Sequence, residues 1–183
     1  MQKKQGWFDL PGRLGDRTLE DQLKGLDWLL ENCAGRTVLD VGCAEGLISI
    51  ELARRGAIAL HGVEIVGKHL TVARELAGDL PVTFENADGN LWHPTRQYDI
   101  VLLLSIVHKF KDPSERAAVF ARACADILVF RTPPKFAPAI VDWRSGNALH
   151  DIATVFAREG FTLQFGAHNG PFGEWVGIYR RSK

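Results

Sequence analysis

Four acids, one histidine and one arginine stand where the chain could place chemistry. Asp40 and Glu45 flank the glycine turn Gly42-Cys43-Ala44-Glu45-Gly46, Glu64 closes the run His61-Gly62-Val63-Glu64, and Asp88 precedes Gly89. His108 follows the apolar run Ile100-Val101-Leu102-Leu103-Leu104, and Arg131 follows Ile127-Leu128-Val129-Phe130. An acid at a strand end beyond a glycine turn can accept hydrogen bonds from both hydroxyls of a ribose. A dinucleotide turn needs a second glycine so that the backbone can approach a pyrophosphate. Ala44 occupies that position here, and Gly46 falls one residue early for that spacing. Glu45 adds an anion where a helix N-terminus would otherwise attract phosphate. The turn therefore suits a nucleoside ligand carrying cations better than a diphosphate.

S-adenosylmethionine carries an ammonium, a sulfonium and no phosphate. At this point the chain resembles the class I S-adenosylmethionine-dependent methyltransferases. Val38-Leu39-Asp40-Val41-Gly42-Cys43-Ala44-Glu45-Gly46 matches their first motif, and His61–Glu64, Asn86-Ala87-Asp88 and Tyr98–Ser105 continue the match in order. The resemblance implies methyl transfer and S-adenosylmethionine as cofactor, leaving S-adenosylhomocysteine. It implies cofactor contacts at Asp40, Gly42, Cys43, Ala44 and Gly46 in the turn, and at Glu64 and Ile65 for the ribose. Asp88 would meet the adenine, Gly89 would give the turn and belong to the same cofactor contacts, and Leu104 at the end of the fourth strand would be a further cofactor contact. On this reading, replacing Glu64 weakens cofactor binding and leaves the fold intact. Ser105-Ile106-Val107-His108-Lys109-Phe110 is similar to the segment that carries paired histidines in small-molecule methyltransferases, with Lys109 in place of the second.

In-line displacement at a sulfonium needs mainly an oriented acceptor. His108 is the candidate base if the acceptor is a hydroxyl; a packing histidine at a strand end is the plainer alternative. The leading segment reads as a loosely held arm or as a flap over the cofactor or substrate; Trp7 is its candidate substrate residue, and an aromatic beside a sulfonium would gain a cation–π contact. Arg131 opens the loop Arg131-Thr132-Pro133-Pro134, whose prolines exclude regular structure, and could hold an anionic group of the acceptor. His69 reads as a surface residue, and Trp92 as either an adenine neighbour or packing.

The elements that must position these residues alternate. The β-branched run Thr37–Val41 reads as a buried strand and 47–55 as the helix behind it, ended by Gly56. Strands at 57–63, 82–88, 100–104 and 127–130 alternate with helices at 67–77 and from Asp112-Pro113 onward, and two further strands lie at 161–165 and 174–180. Thr18 begins a helix that runs through Leu19, Leu23, Leu26 and Leu30 to Asn32. The expectation is an α/β fold: a Rossmann-like seven-stranded, mostly parallel sheet with an antiparallel C-terminal hairpin and helices on both faces. One domain spans 1–183, with an N-terminal arm at 1–17 and a substrate loop at 131–146.

Composition narrows the setting. The chain has 183 residues, with 22 Lys plus Arg against 22 Asp plus Glu. Zero formal charge gives no electrostatic footprint for nucleic acid and favours a small-molecule acceptor. No run is long enough to span a membrane, and Met1–Gly6 has no apolar signal core. Cys33, Cys43 and Cys124 form no even set and no C-x-x-C, as in a cytoplasmic protein with reduced thiols. No cluster has metal-ligand spacing. A non-catalytic S-adenosylmethionine-binding module and an RNA or protein methyltransferase are the alternatives.

Overall fold

A computed structural model describes residues 6–12, 15–132, 147–171 and 173–182. Its core is one seven-stranded sheet. The strands are β1 (Thr37–Val41), β2 (Ala59–Glu64), β3 (Val82–Asn86), β4 (Tyr98–Leu104), β5 (Cys124–Arg131), β6 (Phe161–Ala167) and β7 (Val176–Arg181). They lie in the order β3-β2-β1-β4-β5-β7-β6. The first five are parallel, and β7 runs antiparallel to both β5 and β6. This is the architecture expected from the sequence.

Side chains alternate across each central strand, so each feeds two cores. Val38, Ile100, Leu102, Ile127 and Val129 enter one cluster with Leu26, Leu29, Ile48 and Leu52. Leu39, Val101, Leu103, Leu128 and Phe130 enter the other with Phe120, Ile152 and Phe156. Burial of both faces explains the unbroken apolar runs. The helices doing this covering are α1 (Leu19–Leu23), α2 (Asp27–Asn32), α3 (Leu47–Arg54), α4 (Gly67–Ala77), α5 (Pro113–Arg122) and α6 (Asn147–Arg158). Asp112 caps α5 by accepting from the Glu115 amide, with Pro113 at the first helical position.

The first helix differs from the continuous one expected. Thr18 caps it as read, accepting from the Asp21 amide at 3.0 Å. It then stops at Leu23, because Gly25 turns with φ +79°. A Cβ on Gly25 would come within 2.7 Å of Asn169 Oδ1. The close approach of the segment between β6 and β7 thus sets the break, and no local periodicity reports it. Strand bounds shift slightly: β2 begins at Ala59, because the Ala57 amide is bonded to Leu52 at the end of α3. β3 ends at Asn86, leaving Asp88 in the following turn. Of the expected substrate loop, residues 133–146 lie outside those described.

Candidate cofactor site

The turn after β1 is left-handed at alternate positions: Gly42 at φ +74°, Ala44 at +50° and Gly46 at +71°. An L-residue in that region costs roughly 1–2 kcal/mol, so Ala44 needs a restraint. Glu64, at the end of β2, supplies it. Its Oε2 accepts from the Ala44 amide at 3.1 Å and its Oε1 from the Val66 amide at 2.8 Å. Gly42 and Cys43 both donate to Val63 O, at 2.8 and 3.2 Å, so the turn is tied to β2 along its length. A Cβ on Gly46 would lie 2.5 Å from Phe84, and the buried Cys43 sulfur packs against Gly62. Gly46 therefore lets α3 settle on the sheet, and Cys43 is packing with a thiol pushed up by burial.

A cavity of about 150 Å³ opens beside this turn, lined by Gly42, Glu64, Ile65, Asp88, Gly89, Asn90, Ile106, Lys109 and Phe110, among others. Five of the residues expected at the cofactor are thus brought together: Gly42, Glu64, Ile65, Asp88 and Gly89. Asp88 Oδ1 accepts from the Asn90 amide at 2.8 Å and from its side chain at 2.9 Å. Those two bonds hold the carboxyl below its ordinary range. Asn90 in turn accepts from the Lys111 amide, joining this wall to the segment after β4. Sequence reading placed Ile106, Lys109 and Phe110 in the segment after the fourth strand without assigning them to the cofactor, and did not single out Asn90. Asn90 had a usable signal, since an Asp-Gly-Asn turn followed by apolar Leu91 and Trp92 makes a local side-chain cap.

Asp40, Cys43, Ala44, Gly46 and Leu104 do not line the cavity. Asp40 is buried on the opposite face of β1, where it accepts from Ser49 Oγ at 2.7 Å; burial raises its carboxyl to about 6. Leu104 packs at the margin of the first core cluster.

Glu45 serves another purpose than attracting a cationic ligand. It is fully buried and accepts from the Trp7 amide at 2.9 Å and the Phe8 amide at 3.2 Å. His69, half-buried rather than on the surface, brings its Nε2 to 3.6 Å of the same carboxylate. The arm is thereby pinned across the glycine turn. The Trp7 ring receives Arg17 at 5.0 Å from its centroid, so its cation comes from the protein itself.

Arg131 is corrected from loop to strand. It is the last residue of β5 and only 2% exposed, donating to Gln22 and Ser105. His108 sits in a 3₁₀ turn, Val107–Lys109, with its ring buried, its Nδ1 without a partner among the described residues and its pKa lowered to about 4, chiefly by burial. It is absent from the cavity lining. Trp92 is packing: its ring stacks on Phe120 and its Nε1 donates to Glu85 at 2.8 Å.

A parallel sheet closed by an antiparallel pair, with an acid at the end of β2 facing a glycine turn, defines a Rossmann-like nucleoside-binding fold. Residues 38–128 match the methyltransferase domain family. The chain is 30% identical over 129 residues to a ubiquinone biosynthesis O-methyltransferase of Serratia proteamaculans, covering 67% of this chain and 51% of that protein. Magnesium protoporphyrin IX methyltransferase of Synechocystis, solved with S-adenosylmethionine bound, has the same fold: TM-score 0.69 at 24% identity, covering 86% of this chain and 76% of that one. So does the cyclase SpnF: TM-score 0.68 at 16% identity, covering 98% and 88%. The chain belongs to the class I S-adenosylmethionine-dependent methyltransferase family. It spans about half the length of the curated relatives it matches.

The residues present fit the nucleoside half of the cofactor. Glu64 and Asp88 are the acids, and Gly42 and Gly89 are positions where a Cβ would strike Ile106 at 2.7 Å and Phe110 at 2.9 Å. Pockets for drug-sized ligands run to roughly 300–1,000 Å³, so a cavity of about 150 Å³ seats only part of the molecule. The Ile106 side chain lies directly against Gly42 at the edge of this cavity.

Proposed function

We propose that the protein transfers a methyl group from S-adenosylmethionine to a small-molecule acceptor. The observation that carries this reading is Glu64, a buried carboxylate that rigidifies the glycine turn while facing the cavity opposite Asp88. Bound, the cofactor supplies an electrophilic methyl on sulfonium. Glu64 would accept from the ribose hydroxyls and Asp88 from the adenine amino group. Gly42, beside Ile106, is where the amino-acid end would approach, and the arm pinned by Glu45 would shield the turn. The buried His108 ring, depressed to about 4, is a poor proton acceptor at neutral pH, which favours catalysis by orientation. Named relatives that methylate ubiquinone precursors or protoporphyrin support a small acceptor. Three buried, unpaired cysteines support a cytoplasmic setting.

The same fold in a cyclase favours one second reading, in which the nucleoside ligand is held without methyl transfer. Calorimetry with S-adenosylmethionine, S-adenosylhomocysteine and NAD, followed by a single-turnover assay with methyl-labelled cofactor against pooled metabolites, RNA and protein, separates them. The expected result is binding of the first two ligands, none of NAD, and label in the metabolite pool. Tight NAD binding would sink the family's cofactor for this chain; binding without label transfer would favour the non-catalytic reading.

A further inference from the structure

Arg131 is a buried cation whose hydrogen bonds among the described residues all go to neutral groups. Its Nη1 donates to Gln22 O at 2.8 Å, its Nη2 to Gln22 Oε1 at 2.6 Å and its Nε to Ser105 Oγ at 3.2 Å. Charged groups in its field are engaged elsewhere: Glu174 with Arg17 at 3.1 Å, and Asp40 with Ser49 at 2.7 Å. A guanidinium taken out of water ordinarily meets a carboxylate, because neutral oxygens recover only part of the lost hydration. The bond to Gln22 O caps the end of α1 and accounts for one nitrogen. It leaves a second fact unexplained. Gln22 is 2% exposed, and its amide Nε2 has no partner among the described residues. The amide offers one oxygen to the guanidinium and strands its own nitrogen beside it. A carboxylate, with two oxygens, would satisfy both donors.

Resting on the cofactor reading above, we propose that Gln22 and Arg131 hold the place of a carboxylate that arrives with the ligand. Once the amide swings, Arg131 Nη2 takes one oxygen and Gln22 Nε2 the other. The location fits. Arg131 ends β5 and Ser105, with φ +54°, directly follows β4; both lie at the carboxyl edge, with β1 and its turn on the other side of β4. Two molecules could bring the carboxylate: the amino-acid end of the cofactor, or an acidic acceptor.

Calorimetry on the full chain distinguishes them. One arm compares S-adenosylhomocysteine with S-adenosyl-3-thiopropylamine, the same molecule without its carboxylate. The other titrates benzoate and benzamide into protein saturated with S-adenosylhomocysteine. A charge-assisted pair predicts a preference of roughly ten- to a hundredfold for the carboxylate in one arm, and that arm names the source. Arg131→Met should abolish the preference. Gln22→Glu should abolish it too, while raising the melting temperature of the ligand-free protein, because the new side chain supplies the missing anion. That second variant decides the matter if Arg131→Met does not fold. No preference in either arm, or a preference that survives both substitutions, overturns the proposal. Failure of S-adenosylhomocysteine to bind at all would instead remove the cofactor reading, and the benzoate pair, then run on the ligand-free protein, would still test the carboxylate.

Discussion

Glu64 has two duties, and they separate on mutation. Its carboxylate is the acceptor for two backbone amides, one of them on the left-handed Ala44. Glu64→Ala should therefore lower the melting temperature as well as weaken S-adenosylhomocysteine binding by about ten- to a hundredfold, the value of a charged hydrogen bond. The motif alone suggests an intact fold. Glu64→Gln keeps one acceptor oxygen and should fall between. Calorimetry paired with thermal melts checks this, and an unchanged melt for Glu64→Ala would show that the turn does not depend on it. His108 and Asp40 give a second test because burial moves them in opposite directions. His108, lowered to about 4 from 6.5, contributes stability that is present above 6.5 and lost as pH falls through about 4. Asp40, raised to about 6 from 3.8, contributes stability that is present below 3.8 and lost as pH rises through about 6. Between pH 4 and 6 the two slopes oppose in wild type. His108→Leu should unmask a melting temperature that falls as pH rises across that window; a flat profile would contradict the burial of Asp40. In turnover, His108→Ala should show only a small, pH-independent loss between pH 6 and 8. A large loss confined to pH above the histidine's pKa would make it the base. Glu64, Asp88 and Gly42 were legible in the sequence because strand-end acids and turn glycines are read by spacing. Arg131 was picked out too, but its burial and its pairing with Gln22 were not readable, because that partner lies 109 residues away.

At the scale of elements, the arm is the part that spacing could not place. Its seat is the Glu45 carboxylate, which joins residues 37 and 38 positions apart. No periodicity within the arm encodes that contact. Phe8, only 2% exposed, is inserted in the first core, so the seat is apolar as well as polar. Glu45→Ala would strand two amides at roughly 1–3 kcal/mol each. It should release the arm and make Arg17, buried in the wild type, a ready site for trypsin. Limited proteolysis followed by mass spectrometry reads the cut. Equal resistance in the two proteins would mean that Phe8 and the Arg17–Glu174 pair suffice without Glu45. The break at Gly25 belongs to the same scale. It ends α1 where the Gln22 carbonyl can meet Arg131, a placement that a continuous helix to Asn32 would spoil.

For the molecule as a whole, the alternation of strand and helix was plain in the sequence, because a sheet buried on both faces demands unbroken apolar runs at β1, β4 and β5. Strand order is another matter. β7 slots between β5 and β6, pairing antiparallel with both, and nothing in its residues distinguishes an inner strand from an edge except Ile178 and Tyr179 facing opposite cores. That insertion is what carries Glu174, just ahead of β7, to the carboxyl edge where Arg17 meets it.

Arg17 and Glu174 are 157 residues apart, so this contact is completed only once the segment leading into β7 has been made. At a synthesis rate of about 5–20 residues per second, roughly 8–30 s separate the appearance of the one from that of the other. Throughout that interval the N-terminal segment has half of its seat, and Trp7 lacks a settled cover. The nascent chain can pair β1 to β4 around Glu64 before the Arg17–Glu174 contact exists. The seat of the arm is thus finished later than the glycine turn that the arm crosses.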